Sequence, residues 1–183
     1  RRRCIVIAVR RIVVGVHGSL GSLQALRWAA EEARVRQVPL TAVIAWVPPG
    51  GDMAERRHPS GYLRKIWSDD AKDRLLTAFE AGLGGFPEDV RVAPCVVRGE
   101  TGPVLVDIAD EPGDLLVIGT GRRGSVGRAL RTSVGRYCLA HAKCPVLAVP
   151  PSALMDEMAH GFRHWSLRGR HVTVPDIPEL PGS

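Results

Sequence analysis

The stretch Arg11-Ile12-Val13-Val14-Gly15-Val16-His17-Gly18-Ser19 decides how the chain is read. Arg11 to Val16 is a continuous apolar run bounded by glycine, the pattern of a strand buried on both faces rather than one with a wet side. Ser19 or Ser22 can cap the helix that follows. In that helix Leu23, Leu26, Ala30 and Ala33 share one face, while Glu31, Glu32, Arg34 and Arg36 lie elsewhere. A buried strand that turns through glycine into an amphipathic helix opens a βα unit, and the same alternation continues along the chain.

The helix is expected to end near Gln37, and Leu40 to Val47 reads as the second strand. Pro48 to Gly61, rich in proline and glycine, reads as a long surface loop. Trp67, Ala71, Leu75, Ala78 and Phe79 give the second helical stripe, broken by Gly82 to Pro87. Val90 to Val97 is the third strand, which Pro94 assigns to a sheet edge or a bulge. Pro103, just ahead of Val104, Leu105, Ile108 and Ala109, marks a short third helix. Asp114 to Gly119 is a fourth buried strand, Leu130, Val134, Tyr137, Cys138 and His141 recur at helical spacing, and Pro145 to Val149 is a fifth strand. This βαβαβαβαβ order predicts the α/β class: one doubly wound parallel sheet with helices on both faces.

The domain therefore spans residues 11–150, after an N-terminal extension of residues 1–10 and before a tail of residues 151–183. The apolar run Cys4 to Val9 fits either an extra strand or an unpacked leader. In the tail, Leu154, Met158, Phe162 and Trp165 line one helical face, and His171 to Ser183, with Pro175, Pro178 and Pro181, reads as extended. Phe162 and Trp165 are expected to dock on the core or a partner subunit.

Composition narrows the function. Of the 183 residues 45% are apolar and 24% charged, enough to bury a core and too mixed for wholesale disorder. No apolar run approaches the roughly 18 residues that span a bilayer, so no membrane partner is expected. Cys4 to Val9 is also short for an export signal. The net charge of +6 includes Arg1, Arg2, Arg3 and Arg10, and Lys65, Lys72 and Lys143 are the only lysines. Such scattered arginine reads as a solvated surface, and nucleic acid is not an expected partner. Cys4, Cys95, Cys138 and Cys144 form no C-x-x-C pair, which suits a reducing cytoplasm and neither a disulfide nor a zinc framework.

In a doubly wound sheet, ligands sit beyond the carboxyl ends of the strands where strand order reverses. Two glycine-rich loops stand there: Gly15-Val16-His17-Gly18-Ser19, and Gly119-Thr120-Gly121-Arg122-Arg123-Gly124-Ser125. Glycine lets backbone N–H groups approach phosphate oxygens at a helix N-terminus, and tight βα turns also need glycine for the backbone alone. Both readings stand for the second loop. Gly119 to Gly124 matches G-x-G-x-x-G, but it does not open the first βαβ unit. The next acid after Asp114 is Asp156, too far on to serve a dinucleotide ribose. A nicotinamide or flavin dehydrogenase is excluded, and no P-loop motif occurs.

His17 near Ser19 offers a base and a nucleophile, but there is no G-x-S-x-G elbow and no identifiable third member. An enzyme is not expected, and His17 reads as a turn residue. Asp156, His160 and His164 recur every four residues as metal ligands do. Gly161 interrupts them, and a solvated helix face is the expected role, with no metal bound.

The segments Arg11 to Ser19, Leu26-Arg-Trp-Ala-Ala-Glu-Glu-Ala33, Asp114 to Gly119 and Cys144-Pro-Val-Leu-Ala-Val-Pro150 together resemble the universal stress protein family. The resemblance implies a five-stranded parallel sheet of order 3-2-1-4-5, a homodimer through the last strand, Val146 to Val149, and ATP binding in some members. ATP-binding members carry G-x2-G-x9-G-[ST] after the fourth strand and an Asp after the first. Here His17 stands at the Asp position. Starting the motif at Gly119 puts Arg122 and Thr132 at its later glycines and Ser133 at the hydroxyl; starting at Gly121 keeps Gly124 but puts Val134 and Gly135 at the end.

By resemblance, Gly15, Val16, His17 and Ala45 would hold the nucleoside, and Gly119, Thr120, Gly121, Arg122, Arg123, Gly124, Ser133 and Val134 the phosphates. The ligand would be ATP or another adenine nucleotide, with Mg. Arg122 and Arg123 can offset lost glycines by charge-assisted bonds to phosphate. The expectation is a regulatory or stress-response protein that binds an adenine nucleotide; the alternative is a dimeric interaction protein that binds none.

Overall fold

Ile12 and Val14 turn to one side of the sheet and Val13 to the other, and all three are fully buried. A strand can be apolar at every position only when both faces are covered. The structure, a computed structural model, describes residues 8–51, 59–120, 134–150 and 152. In order along the chain it forms β1 (Arg11–Gly15), α1 (Leu20–Arg36), β2 (Leu40–Trp46), α2 (Gly61–Leu83), β3 (Val92–Arg98), α3 (Thr101–Ile108), β4 (Asp114–Gly119), α4 (Val134–His141) and β5 (Val146–Val149). All strands are parallel, in the order β3-β2-β1-β4-β5. These residues fall in the first of two units, Arg1–Ser152 and Ala153–Ser183.

Helices α1 and α2 cover one face. Leu26, Ala29, Ala30, Ala71, Leu75 and Phe79 pack there on Ile12, Val14, Leu40, Ile44 and Val117. Helices α3 and α4 cover the other, where Val104, Leu105, Ala109 and Cys138 meet Val13, Val43, Leu116 and Ile118. Fully burying one such aliphatic side chain is worth about 1.5–3 kcal/mol. Continuous apolar strands thus feed two cores, one from each set of alternate residues.

The ends of the elements follow local chemistry. Ser19 caps α1, its side chain accepting a hydrogen bond from the Ser22 N–H, and the helix closes at Gln37 in a left-handed conformation. Helix α2 begins well before the Trp67 stripe, at a Ser60 cap whose hydroxyl accepts from the Leu63 N–H at 3.3 Å. Its first two turns are exposed, yet Tyr62, Leu63 and Ile66 run into Trp67 at helical spacing, so the apolar stripe itself extends back toward the cap. The break after α2 falls at left-handed Gly84, while Gly82 lies within the helix, where Leu26 packs 3.4 Å from the position a Cβ would take. Arg27 donates to the carbonyls of Gly82 and Ala81, satisfying the end of α2 from α1. Strand β3 is a sheet edge with Pro94 exposed, where a missing N–H costs no ladder bond. Among the described residues no helix is long and apolar enough to cross a membrane.

At the amino ends of the central strands Asp114 is buried and paired with Arg11. The Arg11 Nε donates to Oδ1 at 2.8 Å and a terminal nitrogen donates to Oδ2 at 2.5 Å. The same nitrogen donates to the Ile108 carbonyl, and the Glu111 N–H donates to Asp114. The hydrogen bond to Asp114 raises the Arg11 pKa further above its ordinary value. This fork ties β1 to β4 across the order reversal.

Two outcomes follow from this packing. Asp114→Ala removes a buried acceptor of three donors, and it is expected to lower the urea-derived stability by about 2–3 kcal/mol, less than for a wholly buried pair because Arg11 stays in reach of water. Burial also pushes the thiols of Cys138 and Cys144 up. The fold therefore favours their protonated form. Their contribution is complete below the ordinary thiol pKa of about 8.5 and is lost as pH rises through the raised folded values. Urea midpoints should fall between pH 8 and pH 10, and fall less in Cys138→Ala; equal slopes would count against the assignment.

Candidate functional site

The chain leaves β1 toward one face of the sheet, into α1, whereas the helix after β4, α4, packs on the other. Since β1 and β4 are neighbours, strand order reverses between them, and in such sheets the place beyond the carboxyl ends of that strand pair is where ligands sit. This is where the two glycine-rich stretches begin.

The first loop is tied down locally. The His17 N–H donates to the Ser22 hydroxyl at 3.4 Å, and that hydroxyl donates to the Ser19 carbonyl at 2.9 Å. The Ser19 hydroxyl accepts from the Ser22 N–H and lies 3.1 Å from His17 Nε2. Gly18 supplies the turn, with φ of +84°, and nothing lies within 4 Å of where its Cβ would stand. His17 and Gly18 are exposed and Ser19 half-buried, so this side-chain pair borders open space.

Gly15 and Val16 are buried instead. A Cβ on Gly15 would stand 2.8 Å from Leu105 Cδ1, and the Val16 N–H extends the ladder to the Val43 carbonyl. Gly119 is tighter: a Cβ there would stand 2.4 Å from the Gly21 carbonyl oxygen and 3.0 Å from the Ser22 nitrogen. The first turn of α1 therefore rests on the end of β4. Thr120 is exposed, and its N–H donates to the Val149 carbonyl at 2.9 Å, extending the pairing with β5. Ala45 is half-buried near the end of β2, two residues beyond the Val43 that pairs with Gly15. Val134 opens α4.

The structure thus gathers Gly15, Val16, His17, Gly119 and Thr120 at the ends of two neighbouring strands, with Ala45 on the next strand. Gly121, Arg122, Arg123, Gly124 and Ser133 lie outside the described residues, as do Asp156, His160 and His164. Sequence reasoning overlooked Gly21, whose lack of a side chain lets α1 approach β4. The signal was there, since glycine inside a helix costs roughly 0.5–1 kcal/mol relative to alanine and calls for a packing reason. Ser22, the alternative cap, is buried and ties His17 to the helix. Among the described residues no group of three or more His, Cys, Asp or Glu side chains could hold a metal ion.

Comparisons with known proteins agree with this architecture. The model of the universal stress protein family matches residues 8–150. A universal stress protein of Mycobacterium tuberculosis is 34% identical over 143 residues, covering 75% of this chain and 46% of that protein. The chain spans about half the length of the curated relatives it matches. Among solved structures, a universal stress protein in complex with cAMP is 28% identical, with a TM-score of 0.51 over 79% of this chain and 99% of that one. A universal stress protein from Archaeoglobus fulgidus is also 28% identical, with a TM-score of 0.53 over 76% and 98%.

The two loop glycines should respond differently to a methyl group. Gly119→Ala drives a Cβ into helix backbone and is expected to cost about 3 kcal/mol. Gly18→Ala meets open space and pays only for its left-handed φ, about 1 kcal/mol. Thermal denaturation of the two variants checks the order; equal losses would show that α1 does not press on β4 as described.

Proposed function

The chain belongs to the universal stress protein family, and on that premise we propose that it is a regulatory module that binds an adenine nucleotide in the crevice beyond β1 and β4. The observation that carries this reading is the meeting of the Gly15–Ser19 loop with the Gly119–Thr120 strand end at the reversal of strand order, with their helices on opposite faces. The likeness to a family member in complex with cAMP supports the same ligand class. In this reading His17 and the end of β2 at Ala45 border the nucleoside, while Thr120, the segment after it and the start of α4 at Val134 take the phosphate side.

The nucleotide acts here as a signal rather than a metabolic substrate. The His17–Ser19 pair resembles a base and nucleophile, but the chain carries no G-x-S-x-G elbow to present the serine as a hydrolase nucleophile. The partner is a second copy of the chain, joined along the β5 edge, where Val146 and Leu147 are half-buried and Ala148 exposed.

A second reading rests on a specific observation. Gly15 and Gly119 are both accounted for by packing, against Leu105 and against the backbone of α1, without any ligand. This favours a dimeric interaction protein that keeps the loops for structural reasons. Calorimetric titration of stripped protein with ATP, ADP, AMP and cAMP separates the two. A dissociation constant in the micromolar range for at least one of them is the expected result; the absence of heat for all four would leave the interaction reading.

A further inference from the structure

The two edges of the sheet present different backbones to a further strand. In a parallel pair every second residue bonds to its neighbour, and the residues between turn both backbone groups away. The Leu40 N–H donates to the Arg91 carbonyl at 2.9 Å, and the Gly99 N–H donates to the Trp46 carbonyl at 2.8 Å. Register runs unbroken between these bonds, from Leu40 beside Val92 to Trp46 beside Arg98. The odd-numbered residues of β3 therefore bond inward to β2, while Val92, Pro94 and Val96 aim their backbone groups at the free edge. The same alternation turns Val146 and Ala148 outward on β5, between the bond from Leu116 to Pro145 at 3.0 Å and that from Thr120 to Val149 at 2.9 Å.

Pro94 apart, β3 has the makings of an edge that recruits strands. It is the outermost described strand on its side and pairs with β2 over all of its 7 residues. Val92 to Val97 carries no charge and is half valine. Uncharged, β-prone segments of about six or seven residues pair with copies of themselves unless a charge or a proline interrupts them. Pro94 is that interruption, and it stands exposed beside exposed Ala93. Proline has no N–H to offer an added strand, and its Cδ fills the place of that hydrogen, against any carbonyl brought alongside. Because residue 94 faces outward, the ring takes nothing from the ladder with β2.

We infer that Pro94 closes the β3 edge to strand addition by a second copy of this chain, leaving such addition to the β5 edge. The inference stands apart from any ligand of the crevice and from the partner at β5. Two copies joined along β5 keep a β3 edge at each end, so an open β3 would turn a closed pair into a ladder that grows. A chain that stays single at β5 would gain one partner through β3. Either way, one proline sets the number of copies that the sheet can join.

The test compares the full chain with Pro94→Thr, which restores the N–H and adds a β-branched side chain, and with Pro94→Ala, which restores the N–H alone. Sedimentation velocity over a wide range of concentration is expected to show the mass of Pro94→Thr at least doubled relative to wild type, with a smaller rise in Pro94→Ala. The urea midpoints of both variants, read at low concentration, should not fall below that of wild type, since the restored N–H meets water. Hydrogen exchange locates the contact: the Ala93, Cys95 and Val97 amides are expected to be protected already in wild type, and the outward Val96 amide to slow only in associated Pro94→Thr. A wild-type mass in both variants overturns the inference. So does a mass gain that comes with a lower urea midpoint, or without new protection at Val96, because association would then start from unfolding or from another surface.

Discussion

Helix α1 rests its first turn on the end of β4, so closely that the Gly21 carbonyl occupies the place of a Gly119 side chain. The remaining architecture depends on this contact of backbone with backbone. It sets how far α1 leans across the sheet, and with it which side chains of β1 and β4 meet Leu23, Leu26 and Ala30. At the opposite end of the same two strands, Arg11 and Asp114 make the complementary tie. Between these two points β1 and β4 have little freedom to slide, and a parallel pair has no hairpin turn to hold its register.

The crevice follows from that pairing. With β1 and β4 neighbours and the helices that follow them on opposite faces, the His17–Ser19 pair and Thr120 stand at the carboxyl ends of the two strands, where strand order reverses. The loop after β1 is stiffened by two bonds that Ser22 donates to Ser19, to its hydroxyl and to its carbonyl, and by the bond from the His17 N–H to the Ser22 hydroxyl. An imidazole held this way presents its chemistry at a defined place without first being ordered by a ligand, which reduces the entropic cost of binding.

Glycine serves several ends within a few residues of that crevice, and they are not interchangeable. Gly15 makes room for a side chain from α3, Gly119 for the backbone of α1, and Gly18 provides a left-handed turn in open space. A motif written as glycines at fixed spacing merges packing, helix approach and phosphate contact into one symbol. The literal match of Gly119 to Gly124 with a dinucleotide fingerprint shows the hazard, since its first glycine is already required by helix packing.

Strand number, parallel sense, helix faces and the edge position of β3 were all legible in the sequence, because burial on both faces leaves a continuous apolar run and burial on one leaves a helical stripe. The resemblance added the strand order, and the location of the crevice followed from it. The reading fell short at the start of α2: its first turns are exposed, and the signals there, the Ser60 cap and the spacing of Tyr62, Leu63 and Ile66 ahead of Trp67, lie beside a stretch rich in proline and glycine that reads as loop. Tertiary structure alone decided what no local pattern encodes. It set the approach of Gly21 to Gly119, the reach of Leu105 to Gly15, and the pairing of Arg11 with an Asp that lies 103 residues further along the chain. These are contacts between segments distant in sequence, and their geometry exists only once two cores have packed against the sheet from both sides.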